Sequence, residues 1–462
     1  MNYLLSLVCS LCLFVGASTS QILANSLVMP NDDAPKIEYV KYTLDNGLKV
    51  ILHKDSSTPI VAVSVLYHVG SKNEDPDRTG FAHFFEHLMF EGSKNIERGQ
   101  MDKMIAAAGG TYNANTSNDR TFYYEILPSN QLKLGLWIES ERMLHAIVDT
   151  LGVETQRAVV KEEKRLRVDN QPYGSILEET LKRAYTKHPY RWAPIGSMEH
   201  LDAASFEDFT RFYETFYVPN NATLSIAGDI DIEETKKMID GYFTEIPRGT
   251  VEIPRPTIKE PKQTEEVRDI VYDNIQLPAV IQAYKMPPQG THDAYAFEVL
   301  STLLTGGASA RMQKQLVDQD QKAVAVAAIP LSLEDGGLFI NYGIANMGIE
   351  AEDLEAGMDA VIKTVQNELI PEKEFQKVMN QIEASFVSTN SRIASIAESL
   401  ANYEVYYGDA ELINTVIDKY RKVTREDLKR VASEYLIPQN RVVLYYLPKS
   451  AQPESSESQG DE

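Results

Sequence analysis

The stretch Ser205–Phe212 (SFEDFTRF) recurs in the second half of the chain as Thr424–Val431 (TREDLKRV). Both copies begin with a hydroxyl residue and carry an acid three positions later, which is the capping-box pattern of a helix start. A Pro-x-Asn turn and an apolar run follow each copy at the same offset, as Pro219–Ile226 and Pro438–Tyr445. The shared cap, arginine, proline and asparagine indicate an internal repeat, so we expect two halves with the same fold.

A proline-rich segment separates the two copies. Residues 247–264 contain four prolines and few apolar residues, which predicts an extended linker between residues 36–246 and residues 265–449. Near the start of the first half, Asn46-Gly47 stands between two apolar runs and predicts a β-hairpin with a type I′ turn. The expected fold class is α+β, with two structurally homologous halves in which a sheet packs with helices.

The two ends of the chain carry signals of a different kind. Leu4–Val15 is almost entirely apolar and is followed by small residues, so we expect residues 1–24 to be a signal peptide. Both cysteines, Cys9 and Cys12, lie in this segment, and a mature chain without cysteines suits export to a bacterial periplasm. The polar, acidic residues 450–462 predict a disordered tail. No later stretch is long and apolar enough to predict a membrane span.

Length and charge narrow the possible functions. The 462 residues, 43% of them hydrophobic, suffice for two or more domains. A formal net charge of −22 argues against a nucleic-acid partner, because the phosphate backbone is bound by a surplus of basic residues. The charge is compatible with basic peptide ligands, although surface acids also serve solubility.

The most informative short motif is His83–His87 (HFFEH). On a helix, at about 100° per residue, His83, Glu86 and His87 share one face, while the phenylalanines between them lie on the opposite, apolar face. Two imidazoles one turn apart, with a carboxylate beside them, are suited to a divalent metal and a neighbouring base.

A catalytic zinc site needs a third protein ligand, because three side chains and one open position are its usual arrangement. The segment Gln156–Arg165 reads as a helix, with Val159 and Leu166 among the residues expected to face the core. It contains two candidate ligands, Glu162 and Glu163, and the residues alone leave the choice open.

These motifs resemble the pitrilysin/insulinase-like family of inverted zinc peptidases (inverzincins), in which H-x-x-E-H is followed by a helical glutamate ligand. The family's E-R-x-V-x-x-x-E pattern implies that the ligand is Glu163 and leaves Gln156 where many relatives have a second glutamate. Further matches lie at Gly109–Ser117, Asp169–Gly174 and His188–Tyr190. The resemblance covers roughly residues 38–449 and looks like the short, single-module branch that includes mitochondrial processing peptidase and its bacterial relatives.

The resemblance implies a zinc site and its chemistry. His83, His87 and Glu163 would bind one Zn²⁺ per chain, and a water molecule would take the fourth position. Glu86, on the same helical face but not needed as a ligand, would act as the general base.

The glycine-rich segment Gly109–Thr116 resembles the edge strand with which the family binds peptides. In that reading Asn113 and Ala114 contact the substrate backbone, which is recognition by strand addition. Without the resemblance, the same residues would read as an ordinary connection to the next strand. Phe90, on the metal-facing side, either lines a side-chain pocket or packs internally.

The second half differs from the first at the positions that matter for chemistry. Aligning the halves sets Phe297, Leu300 and Ser301 opposite the H, E and H of the motif, so we expect no metal site there. Active relatives also carry an Arg and a Tyr in this half, at positions occupied here by Val317 and Val324. Neither valine can hold a peptide carbonyl or stabilise an oxyanion.

The sequence therefore predicts a periplasmic zinc endopeptidase. The chain would form one half of a clamshell and act as the metal-bearing catalytic subunit of a heterodimer, whose homologous partner supplies the Arg and Tyr. The closed chamber would restrict substrates to short or unfolded peptides. The alternative is a non-catalytic assembly or scaffold subunit of a peptidase-like complex.

Overall fold

The computed structural model describes residues 36–453. The expected signal peptide, residues 1–24, and residues 454–462 of the expected tail lie outside the described part of the chain. The tail was predicted to begin at residue 450, but Lys449–Ala451 form a short 3-10 helix directly after the last strand. Ordered chain therefore extends slightly further than the composition indicates.

The first half is built on a mixed six-stranded sheet with the order β1-β2-β6-β3-β5-β4. Its strands are β1 (Val40–Thr43), β2 (Lys49–Lys54), β3 (Ile60–Tyr67), β4 (Thr111–Thr116), β5 (Thr121–Pro128) and β6 (Ala222–Gly228). Only β2 and β6 pair in parallel. Strand β4 is an edge strand, because β5 is its only partner strand among the described residues.

The second half repeats this topology with five strands in the order β7-β11-β8-β10-β9. They are β7 (Val267–Asp273), β8 (Ala279–Lys285), β9 (Ala323–Leu331), β10 (Leu338–Ala345) and β11 (Arg441–Pro448). The parallel pair β7 and β11 corresponds to β2 and β6, and the edge strand β9 corresponds to β4. The expected α+β fold with two similar halves is confirmed.

Helices make up most of the remaining structure. In the first half they are α1 (Phe81–Leu88), α2 (Gln100–Ala107), α3 (Leu132–His145), α4 (Thr150–Lys164), α5 (Ile176–Ala184), α6 (Met198–Ala203), α7 (Phe206–Phe216) and α8 (Ile232–Phe243). In the second half they are α9 (His292–Thr305), α10 (Ala351–Asn367), α11 (Glu372–Thr389), α12 (Ile393–Tyr407), α13 (Leu412–Arg421) and α14 (Arg425–Tyr435). Both repeated helices, α7 and α14, begin with the predicted capping box, at Ser205 and Thr424.

Each half also covers a face of the other half's sheet. Helix α12 of the second half packs on β2, β3 and β6 of the first sheet, where Ile396 and Leu400 meet Ile51 and Ala62. Helix α5 of the first half packs on β8 and β11 in the same way. Because these helices bury the second face of each sheet, the two halves form one continuous body.

The predicted hairpin is present, but its turn differs from the expected type. Strands β1 and β2 pair in antiparallel fashion from Thr43 and Lys49 outward, and five residues connect them. A type I′ turn requires positive φ at both central residues. Only Gly47 has positive φ (92°), whereas Asn46 is buried and donates hydrogen bonds to the carbonyls of Phe243 and Ile246. The tertiary contacts of Asn46 therefore favour a wider loop.

The segment 247–264, expected to be a linker, contains no helix or strand. Near its end, the Glu260 carboxylate accepts hydrogen bonds from the backbone N–H groups of Thr186, Lys187 and His188. Across residues 36–453, no helix has the combination of length and apolar character that crossing a bilayer requires.

Candidate metal centre

Helix α1 presents its polar face because its apolar face is locked into the core. Phe81, Phe84 and Phe85 are buried, and the ring of Phe81 stacks on Phe209 of α7 at a centroid distance of 4.7 Å. Five of the eight residues of α1 are buried, so the rotation of the helix about its axis is fixed. His83, Glu86 and His87 remain partly exposed on the opposite side.

The start of α1 is capped by a side chain that lies several residues before the helix. Gly80, the residue before the helix, has φ of 94° and no side chain with which to cap it. The buried carboxylate of Glu74 accepts hydrogen bonds from the backbone N–H groups of Gly80 (2.9 Å) and Ala82 (2.8 Å). It thereby satisfies donors that a helix start leaves free. Burial raises the pKa of the Glu74 carboxyl group to about 8.

His83, His87 and Glu163 converge on one point. Nε2 of His87 lies 2.9 Å, and Nε2 of His83 3.6 Å, from Oε2 of Glu163. One possible ligand atom from each of the three residues lies within 4.8 Å of the other two. Among the described residues, no other group of three histidine, cysteine or acidic side chains is arranged in this way.

The state of these side chains fits a metal ion. Oε2 of Glu163 is buried and has no hydrogen-bond partner within residues 36–453, although most buried polar atoms have one. Burial and the neighbouring His87 lower the pKa of His83 to about 4. Although burial opposes it, interactions with His87 and His83 lower the pKa of Glu163 to about 2. A neutral imidazole and an ionised carboxylate are the protonation states that coordinate metals.

Helix α4 supplies Glu163 rather than Glu162. The side chain of Glu163 is 14% exposed and points to the histidines, whereas that of Glu162 is 56% exposed and pairs with Arg165. Oε1 of Glu163 also contacts the exposed guanidinium of Arg167 at 2.7 Å. Arg167 lies in a π-helical turn that continues α4, and this irregularity left no signal in the sequence.

The expected burial of α4 was partly wrong. Val159 is 43% and Leu166 is 55% exposed, while Val160 is fully buried. The buried residues of α4 are Gly152, Val153 and Val160, so fewer of its apolar residues reach the core than the pattern indicates. At the position of the family's second glutamate, Gln156 donates to Glu91, and its own Oε1 is buried without a partner.

Glu86 points toward the edge strand. The hydroxyl Oγ1 of Thr116, the last residue of β4, donates a hydrogen bond of 2.6 Å to Oε2 of Glu86. Burial raises the pKa of Glu86, and the hydrogen bond from Thr116 acts in the opposite direction. The sequence did not single out Thr116, although alternation along β4 puts it on the same half-buried face as Tyr112 and Ala114.

The two residues expected to bind substrate lie on this edge strand. Asn113 is exposed, and its Oδ1 accepts a hydrogen bond of 2.9 Å from the N–H of Ala114. That N–H is therefore not used in pairing with β5. Phe90 packs against Tyr112 and Tyr123 at centroid distances of 5.2 and 6.0 Å, which favours the packing interpretation of this residue.

The equivalent region of the second half has different chemistry. Phe297 and Leu300 on α9 are fully buried, and Ser301 donates its hydroxyl hydrogen to the carbonyl of Ala328. Val317 packs against the hydrophobic core of the second half, and Val324 on β9 is 47% exposed.

Comparison with known proteins agrees with these observations. The family profile described as "Insulinase (Peptidase family M16)" matches residues 49–193, and the profile described as "Peptidase M16 inactive domain" matches residues 203–382. The protein named "Zinc protease PqqE" of Helicobacter pylori is 31% identical over 417 residues, which is 90% of this chain and 93% of that protein. The chain belongs to the insulinase family of peptidases.

The chain is also similar to a further protein sequence and to solved structures. A protein of Bacillus subtilis named "Uncharacterized zinc protease YmxG" is 22% identical over 85% of this chain and 95% of its own length. Among solved structures, a protease from Helicobacter pylori has a TM-score of 0.86 at 30% identity and covers 89% of this chain and 100% of that chain. The periplasmic protease PqqL from Escherichia coli has a TM-score of 0.73 at 20% identity, over 92% of this chain and 49% of that chain, which shows likeness of fold alone.

Proposed function

We propose that the protein is a zinc-dependent endopeptidase and the metal-bearing catalytic subunit of a two-chain assembly. The observation that supports this most is the convergence of His83, His87 and Glu163 beside Glu86, next to an open edge strand. Two imidazoles and one carboxylate are a donor set that catalytic zinc uses. Relatives named zinc proteases support the same metal.

In the proposed reaction, His83, His87 and Glu163 would hold the zinc, which would supply Lewis acidity that makes a water molecule more acidic. Glu86 would accept a proton as the water oxygen bonds to the scissile carbonyl carbon, and would pass it to the amine nitrogen as the C–N bond breaks. The three ligand side chains need no part in proton transfer.

Strand β4 is proposed to bind the peptide. Its outer edge has no partner strand among the described residues, and Asn113 and Ala114 lie on it close to the base. Main-chain pairing with such an edge gives affinity with little demand on sequence. This favours unfolded or short peptides, whose backbones are free to pair.

The remaining features of the proposal concern assembly and location. Val317 and Val324 supply neither hydrogen bonds nor charge, so a homologous partner with Arg and Tyr would complete the site inside a closed chamber.

We also propose export through residues 1–24 to the periplasm, the location stated for the Escherichia coli protease of similar fold. The division into domains 36–246 and 265–449, joined by 247–264, belongs to the same proposal.

Glu86→Gln tests the proposed reaction. The amide keeps the size of the side chain but cannot accept the proton, so turnover of a quenched fluorescent peptide should fall by about a hundredfold or more. Zinc content, measured by atomic absorption, should be unchanged, and Glu97→Gln, an exposed glutamate nearby, should keep full activity. Stoichiometric zinc without hydrolysis of any unfolded peptide, even with a partner present, would favour the scaffold function instead.

A further inference from the structure

We propose that Thr116 is a positioning residue, which holds the Glu86 carboxylate in its working orientation and ties it to the strand that binds the peptide. This inference rests on the proposed peptidase function. Oγ1 of Thr116 donates to Oε2 of Glu86 at 2.6 Å. No other group in residues 36–453 donates a hydrogen bond to that carboxylate, so Oε1 is left for the proton of water.

Thr116 is itself held firmly by the turn that follows it. The N–H of Ser117 donates to the carbonyl of Arg120 at 2.8 Å, and Ser71 and Lys72 donate from their backbones to the carbonyls of Ser117 and Asn118. Gly70 allows this contact, since a Cβ there would lie 2.5 Å from the carbonyl carbon of Asn118. The hydroxyl therefore sits on a rigid support, which a positioning residue requires.

The second half of the chain braces the same turn. Arg120 donates to Oδ1 of Asn402 at 2.6 Å and forms an ion pair with Glu398, and both partners lie on α12. The guanidinium also lies over the ring of Phe122 on β5. The half without metal ligands thus supports the element that orients the base.

The hydrogen bond between Thr116 and Glu86 connects the strand proposed to bind the peptide with the proposed general base. A peptide paired with β4 would lie beside Ala114, which shares its strand face with Thr116. The hydroxyl fixes the carboxylate with respect to that same strand. Scissile bond and base are then positioned by one element, and errors of about 1 Å in such positioning cost roughly a hundredfold in rate.

Two substitutions of Thr116 test the hydrogen bond. Thr116→Val keeps the branched shape and the strand preference but removes the donor, so kcat should fall roughly ten- to a hundredfold while KM and zinc content stay unchanged. Thr116→Ser keeps the donor and should retain most of kcat. Thr43→Val, an exposed threonine on β1 at the opposite edge of the same sheet, should match the wild type.

A cycle with Glu86→Gln separates positioning from other effects. If Thr116 acts only through the carboxylate, Thr116→Val should not lower the residual turnover of Glu86→Gln any further. The affinity of Glu86→Gln for a fluorescent peptide, measured by anisotropy, should also be the same with and without Thr116→Val. Full kcat in Thr116→Val, or a loss of zinc or of peptide affinity, would overturn the inference while leaving the peptidase proposal intact. A wild-type protein without turnover, even in the presence of a homologous partner that carries the Arg and Tyr, would overturn both.

Discussion

Nε2 of His87 lies 2.9 Å from Oε2 of Glu163, on two helices, α1 and α4, that pack against each other. Such an approach brings two metal-binding atoms together without a hydrogen bond of good geometry between them, since Oε2 of Glu163 has no such partner. A cation between the side chains would satisfy both. This relationship is the basis of the first prediction.

Replacing either ligand should abolish tight zinc binding. His83→Ala or Glu163→Gln leaves two protein ligands, fewer than catalytic zinc sites use. We expect zinc content after purification and dialysis to fall from about one ion per chain to a small fraction of that. Glu162→Gln changes the adjacent glutamate, which is 56% exposed and pairs with Arg165, and serves as the matched control. Full zinc occupancy in both ligand variants would show that the assignment is wrong.

A partner chain should be needed for full activity. With valines at 317 and 324, the isolated protein should hydrolyse a quenched fluorescent peptide weakly or not at all. A homologous chain with the Arg and Tyr should restore turnover with one-to-one dependence, and the pair should co-elute in size-exclusion chromatography. A stable complex should bury at least about 1,200 Å². Full activity of a homodimer would remove the reason for a partner.

Lys72 should be important for stability at the contact between the halves. Its side chain is only 4% exposed, and its ammonium group lies 2.9 Å from Asp119 of the first half and 2.5 and 3.0 Å from Glu334 and Asp335 of the second. Lys72→Met leaves these carboxylates without their shared cation, so the free energy of unfolding should drop by about 3–5 kcal/mol. Urea unfolding measures this, and Lys103→Met at an exposed site is the control. Equal stability of both variants would contradict the prediction.

Glu298 should make stability depend on pH. Burial raises its pKa from 4.5 to about 7, despite an opposing hydrogen bond from Ser332. The folded protein therefore holds this proton more tightly than the unfolded chain, and the free energy of unfolding falls as pH rises from 4.5 to about 7. Glu298→Gln stays neutral and should remove up to about 1.4 kcal/mol per pH unit of that slope. Urea unfolding at several pH values checks this, with the exposed Glu352→Gln as control; unchanged slopes in both would refute it.

Patterns that depend on neighbouring residues could be interpreted from the sequence. The capping boxes at Ser205 and Thr424 and the apolar face of α1 follow from helical spacing, and the structure has helices at all three places. The repeat indicated two similar halves because the same local signals recur in the same order. The family resemblance, carried by His83–His87 and Glu163, is confirmed for the chain as a whole.

Contacts between distant residues were decided only by the tertiary structure. Helix α5 packs on the sheet of the second half, α12 packs on the sheet of the first half, Val159 is exposed, and Asn46 lies in a wider loop than expected. Each of these outcomes depends on which surfaces pack against each other, and the local spacing of residues does not determine that choice. The same holds for the bond between Thr116 and Glu86, which joins a strand end to a helix. The sequence by itself determined the elements, their order and the chemical groups available, because these follow from short-range spacing. Which groups meet was decided by the tertiary structure, because burial of both sheet faces brings residues far apart in sequence to a common place.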